Sequence, residues 1–203
     1  MSKLTVRNVY TPQKTREVTD NYRRLMGRVT YGIANSAENA AQLDYFYEEQ
    51  TWVPGQEGKR GINHTVERDK ATGKVKDYGN WGVTISSKSE YLLRPEISIA
   101  GFYIPLPMRV PYQMLNFPET DTGEGFWTVF AQPMGNPIMF LFAFTPHVSD
   151  EAYQAECERL HEENGIDLAQ LPLYRVQWDP GYKLGDGGEK LINTDVMADL
   201  KIK

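Results

Sequence analysis

The sequence contains a single cysteine, Cys157, among 203 residues. No intramolecular disulfide can form, and zinc or iron–sulfur centres built on clustered thiolates are excluded. Histidine is almost as scarce. His64, His147 and His161 lie in separate segments with no HxH or HExxH spacing, so no metal site is expected. Positive charge is in deficit, with 22 Lys and Arg against 27 Asp and Glu for a formal net charge of −5. That removes the overall field that would draw nucleic acid or anionic lipid, and neither is expected as a partner. Long hydrophobic runs are missing too: the longest, Ile138 to Phe144, falls far short of the roughly 20 apolar residues of a membrane-spanning helix. The first residues, Met-Ser-Lys-Leu-Thr-Val-Arg-Asn, carry charges and amides where a secretory signal needs an apolar stretch of roughly 7–15 residues. Together with the missing disulfides, this sets the expectation of a cytoplasmic protein without signal peptide or lipid anchor.

What is present is an ordinary globular balance, 40% apolar and 24% charged, with an aromatic share of 12%. A chain of this length fits one domain with a sizeable core. Near the N-terminus, Thr11 as N-cap and Pro12 at the first helical position open a helix, and Val18, Tyr22, Leu25 and Val29 form one apolar stripe along it. Residues 36–42 suit a second short helix. From Asp44 the period changes to two, and turn residues separate eight expected strands at 44–53, 61–69, 74–80, 83–92, 96–104, 110–117, 125–131 and 138–144. Ala71-Thr72-Gly73 and the stretch from Asp121 to Gly125 supply hairpin turns. Ser149 then caps a helix whose first turn carries Asp150 and Glu151 and which stops at Gly165, and Leu173 to Trp178 alternates once more. The eighth strand is apolar on both faces, so something must cover its outside, and the following helix is the nearest cover.

These features predict a mainly β fold, an eight-stranded antiparallel up-and-down barrel with a C-terminal helix on its outside and an additional N-terminal helix. The expected division is an N-terminal extension over 1–42, a barrel domain over 43–178 and a tail over 179–203. An eight-stranded barrel is just wide enough to hold one small ligand.

Val110 to Phe117, Gly125 to Gln132, Ile138 to Pro146 and Val148-Ser149-Asp150-Glu151, in that order, resemble the end of a lipocalin. The pattern is similar to bacterial lipocalins related to apolipoprotein D over roughly residues 43–178. Phe46-Tyr47-Glu48 resembles their first-strand Trp-Tyr-Glu, and Glu96 to Pro107 their fifth strand. The family's first-strand glycine and tryptophan stand here as Asp44 and Phe46, and the arginine before Thr145-Pro146 as Phe144. The resemblance implies a barrel that holds fatty acids, lysolipids, pigments or related compounds.

If Phe46 faces inward as that tryptophan does, Glu48, Gln50 and Trp52 share its face. An inward Glu48 is desolvated, with a raised pKa that suits proton transfer or a polar ligand group. The other setting for Glu48 is the barrel mouth or a pair with Arg68 or Arg94. His64 shares a face with Ile62 and Val66 and is a further cavity candidate. Tyr112 with Met114, and Phe126 with Phe130, occupy common strand faces opposite Trp127 and Val129. The ligand-binding candidates are thus Phe46, Glu48, Gln50, Trp52, His64, Tyr112, Met114, Phe126 and Phe130, although the same residue types fill an ordinary core. Cys157 lies on the apolar stripe of its helix and reads as a small core residue. The Asn63-His64-Thr65 sequon reads as chance, and Gly185 to Gly188 lack the strand and helix that a nucleotide-binding glycine loop needs. No cofactor is expected.

The leading functional reading is a barrel that binds one hydrophobic or amphipathic small molecule. The alternative is a cofactor-free cyclase or isomerase that folds a polyene, polyketide or terpenoid into a reactive shape, with Tyr47, Glu48 and Tyr112 as polarising or proton-transfer groups. A purely structural barrel is the third reading. The sequence assigns no oligomeric state.

Overall fold

A computed structural model describes residues 12–86, 89–99 and 102–182. Thr11 and the glycines at 185–188 lie outside the described residues. Helix α1, Pro12–Leu25, is followed by β1, Val29–Asn35, a 3-10 turn at Glu38–Gln42, β2, Leu43–Trp52, and β3, Gly61–Asp69. Then come β4, Val75–Ile85, β5, Glu90–Ile99, β6, Phe102–Pro105, and β7, Val110–Asn116. Strands β8, Phe126–Ala131, and β9, Ile138–Ala143, precede helix α2, Asp150–Asn164, and the two-residue β10, Tyr174–Arg175.

Sequential antiparallel pairing runs through β1 to β5 and β7 to β9, and β1 pairs β9 to close the ring. The barrel has the eight strands expected, but not the same eight. Val29–Asn35 is its first strand, so residues 29–35 belong to the barrel and not to an extension ahead of it. Val29 continues the helical spacing of α1, but Gly27 adopts a left-handed φ of 93° and ends the helix before it. Further on, 75–99 makes two long strands where three short ones were expected. Gly79, with φ of 70°, is a bulge in continuous β4, and the reversal comes instead between Ile85 and Glu90, where Ser86 N donates to Glu90 O at 2.8 Å. The short β6 folds back on the far half of β5 alone.

Two apolar layers follow from strand alternation. Inside the barrel, Phe46, Tyr91, Met114, Trp127, Val129 and Phe142 belong to one buried cluster, and Val18 and Tyr22 of α1 join it from one end. Outside, Phe126, Phe130, Met139 and Leu141 pack with Leu160 of α2 and with Ile166 and Leu171 beyond it. Strand β9 is therefore covered on both faces, by the barrel interior and by α2. The helix has the expected caps: the Ser149 side chain accepts from Ala152 N, and Gly165 has φ of 65°. A carboxylate is buried beneath it. Glu156 accepts from Arg159 at 2.6 and 2.8 Å and from Thr128 Oγ1 at 2.5 Å.

Among the described residues, no helix is long and apolar enough to cross a membrane.

Candidate functional site

Helix α1 closes one end of the barrel. Its Tyr22 ring, 2% exposed, enters the barrel, stacking on Tyr91 at 5.5 Å and meeting Phe117 edge-on at 5.4 Å and Trp127 at 5.7 Å. The Tyr22 hydroxyl hydrogen-bonds the Gln50 side-chain oxygen. Phe144 lies in the same floor, 6.2 Å from Phe117. The space left there is about 10 Å³, too little for a ligand.

Above this floor lies a cavity of about 340 Å³, within the size range of small-molecule sites. Phe46, Trp81, Tyr91, Leu93, Tyr112, Val129, Phe140 and Phe142 form its walls. Asn35, Ala37 and Asn39 border the opposite end, with Glu67 and the half-exposed Tyr78. The bulge at Gly79 places Tyr78 there, because two residues of β4 oppose one of β3 between the His64–Asn80 and Val66–Asp77 pairs.

A carboxylate sits deep in the cavity. Glu48 is 6% exposed; its Oε1 accepts from Gln50 Nε2 at 2.6 Å and its Oε2 from Thr65 Oγ1 at 3.2 Å. Burial pushes its carboxyl up to about 7, against the opposing pull of Asn63, Gln50 and Thr65. Burial, and then the Glu48 charge, raise the neighbouring phenols of Tyr22, Tyr91 and Tyr112 above their ordinary value. Neither Arg68 nor Arg94 pairs with Glu48: Arg68 is bidentate on Asp44 at 2.9 and 3.1 Å, and Arg94 donates to Leu106 O.

Of the residues singled out in the sequence, Phe46, Glu48 and Tyr112 line the cavity. Gln50 lies just below it, and Met114 is fully buried in the interior cluster without reaching the open space. Trp52 has the inward parity but stands at the α1 end, its Nε1 3.4 Å from Arg23 O. Four candidates face away. Tyr47 belongs to an outer cluster with Tyr31, Tyr45 and Val66. His64 pairs with Glu49 across the ladder, its Nδ1 hydrogen-bonds Asn80 Oδ1 at 2.9 Å, and its Nε2 lies 3.0 Å from Asp77 Oδ1. Phe126 and Phe130 pack under α2, and Trp127 and Val129 take the inward parity. The three groups of the catalytic alternative are thus not brought together, since Tyr47 lies across the barrel wall from Glu48 and Tyr112.

Other cavity residues follow from the ladder once Phe46 is known to face in. Glu48 opposes Thr65, and Gln50 opposes Asn63, which places the polar pair Asn63 and Thr65 inside. Tyr91 opposes Tyr112, their rings stacked at 5.3 Å. Their signal in the sequence is period-two spacing from Phe46, but it needs the pairing register to be read. Among the described residues, no group of three or more His, Cys, Asp or Glu side chains gathers in a metal-binding arrangement.

No protein-family model matches the sequence, and no curated protein matches it either. Solved structures do resemble the fold. Lobster apocrustacyanin A1 superposes with a TM-score of 0.56 at 10% identity, covering 88% of this chain and 93% of that one. Insecticyanin from the tobacco hornworm Manduca sexta gives a TM-score of 0.53 at 10% identity over 76% and 79% of the two chains. A biogenic amine-binding protein gives 0.53 at 8% identity over 87% and 86%. The resemblance of Phe46-Tyr47-Glu48 to a first strand is corrected by the topology, since this segment lies on the second strand of the ring. At these identities it is the architecture that is shared, and the chain has the lipocalin fold: a closed antiparallel barrel of eight strands with a helix packed on its side.

Proposed function

We propose that the protein binds one hydrophobic or amphipathic small molecule within its barrel. The observation that carries this reading is the cavity of about 340 Å³, walled by aromatic and aliphatic side chains and ending on a buried carboxylate. Transfer of apolar surface from water into such a site gains roughly 25 cal/mol per Å². The fold is shared with a protein named for binding biogenic amines, itself a small-molecule binder. The single cysteine, buried and free, supports a reducing, cytoplasmic setting. Within the fold, Thr145-Pro146 and the Ser149 helix start support a place near the bacterial lipocalins related to apolipoprotein D.

The test is titration with the neutral fluorescent probe N-phenyl-1-naphthylamine. Saturable binding of one probe per chain is expected. Val129 is on the cavity wall and fully buried, so Val129→Trp fills the space and abolishes binding, whereas Phe130→Leu, under α2, leaves it intact. Circular dichroism verifies that both variants are folded. Native mass spectrometry of the purified wild-type chain with and without probe gives a second, mutation-free readout. Absence of saturable binding, or equal binding by folded Val129→Trp, overturns the reading.

A further inference from the structure

The charge of the cavity is one-sided. Among the described residues lining it are two carboxylates, Glu48 at depth and Glu67 near the mouth, and no lysine, arginine or histidine. The nearby cation at the mouth, Lys76, has a mostly exposed side chain and is already engaged, by Glu67 at 3.5 Å and by the Tyr78 hydroxyl at 2.6 Å. A ligand with a carboxylate or phosphate head would bring its charge into a wall that carries only like charge, with no donor cation to receive it. Beside a buried carboxylate that arrangement is unfavourable.

The polar groups around Glu48 are arranged to hold it as an acceptor. Gln50 and Thr65 each give it one hydrogen bond, on different oxygens, which leaves acceptor capacity on a carboxylate that borders the open space. Beside it the Asn63 side chain, 2% exposed and also on the cavity wall, has an amide nitrogen near enough to Glu48 to pull its carboxyl down but closes no hydrogen bond of ordinary geometry among the described residues. Around this pair stand the aromatic side chains of Phe46, Trp81 and Tyr112, and Tyr91 stacked between Tyr22 and Tyr112. Aromatic faces attract a cation through their quadrupole and accept an apolar body equally well.

Building on the proposed function, we infer that the ligand is an organic amine with an aromatic or similarly flat apolar body, its protonated nitrogen seated on Glu48. The ammonium forms a charge-assisted hydrogen bond with the carboxylate, and the body fills the aromatic section of the cavity. The Asn63 nitrogen is placed to meet an acceptor atom close to that ammonium. The arrangement excludes fatty acids, the ligand class that the sequence resemblance would have put first.

Three probes of one shape separate the head groups: tryptamine, with an ammonium, tryptophol, with a hydroxyl, and indole-3-propionate, with a carboxylate. Each is titrated by isothermal calorimetry at neutral pH and by displacement of N-phenyl-1-naphthylamine. The expected order is tryptamine first, by at least about tenfold over tryptophol, with the carboxylate weakest. In Glu48→Gln the ratio of tryptamine to tryptophol affinity falls to about one. A folded Glu48→Gln protein that keeps the full amine preference overturns the inference. So does tryptophol or the propionate binding as tightly as tryptamine to the wild type. If the naphthylamine probe binds and none of the three displaces it, the amine inference fails while small-molecule binding stands. If neither the probe nor any of the three binds, both fail.

Discussion

The Tyr22 hydroxyl on α1 donates to the Gln50 side-chain oxygen on β2, and Gln50 in turn donates to Glu48. The helix that closes the barrel is therefore tied from inside to the carboxylate at the foot of the cavity. Tyr22→Ala removes a ring packed against Tyr91, Phe117 and Trp127 and should cost about 3–5 kcal/mol, as large aromatic deletions in cores do. Tyr22→Phe keeps the ring but strips the Gln50 oxygen of its donor, at about 1–3 kcal/mol. Urea denaturation of both variants checks the order, and equal costs would show that the ring is not a packed floor.

Glu48 makes stability depend on pH in an unusual direction. Its carboxyl rises from 4.5 to about 7 on folding, so between those values the folded chain holds a proton that the unfolded chain releases. The contribution of this side chain is fully present in acid and is lost as pH rises through about 7, a swing of about 3 kcal/mol. Glu48→Gln should be more stable than wild type at pH 8 by up to this amount and should match it more closely at pH 5. Denaturation curves at the two pH values decide the matter; parallel wild-type and variant profiles would refute it.

At Gly32 a β-carbon would lie 1.9 Å from Phe46 Cδ1. Gly32→Ala therefore has to push the Phe46 ring toward the cavity, with a loss of about 1–3 kcal/mol from overpacking. Phe46→Leu relieves the clash, so the alanine costs less in that background. A thermal-melt cycle over the four proteins measures the coupling, and additive effects would contradict the contact.

Beneath α2, Arg159→Ala leaves Glu156 buried without its cation, and breaking such a pair typically costs about 3–5 kcal/mol. Replacing the polar group as a whole, Glu156→Leu with Arg159→Leu and Thr128→Val, should recover most of that loss. Chemical denaturation of the single and triple variants provides the comparison; a triple variant as unstable as Arg159→Ala would mean that the network itself, and not the orphaned charge, sets the cost.

What could be read from the sequence depended on how many faces of an element are buried. Helix α2 is legible to its ends, because Ser149 and Gly165 act locally, through a side-chain cap and a left-handed φ. The inward set of β2 is legible from Phe46 and its period-two partners. Strand β8 is not, since all six of its residues are buried, and alternation carries no sign when α2 covers one face and the interior fills the other. For that reason the sequence leaves open which parity of β8 faces in, and the cavity candidates Phe126 and Phe130 pack under α2. Strand β1 is hidden because Val29 extends the α1 stripe, and the bulge at Gly79 reads as a turn, since glycine marks both. Asn63 and Thr65 have no local signal of being inside; only their pairing with Gln50 and Glu48 places them there.

The pairing of β1 with β9 joins Tyr31 to Ala143 and Asn35 to Phe140, and Trp178 Nε1 adds a bond to Gly32 O at 2.8 Å. During synthesis the first strand leaves the ribosome long before its second neighbour exists. Until residue 143 has emerged, one edge of β1 is open to any other extended chain. Closure of the ring consequently waits for the synthesis of β9 and is governed by slow, non-local contacts. A truncation that stops before β9 leaves nascent chains with two unpaired edges, a species expected to call on chaperones more than the finished protein does.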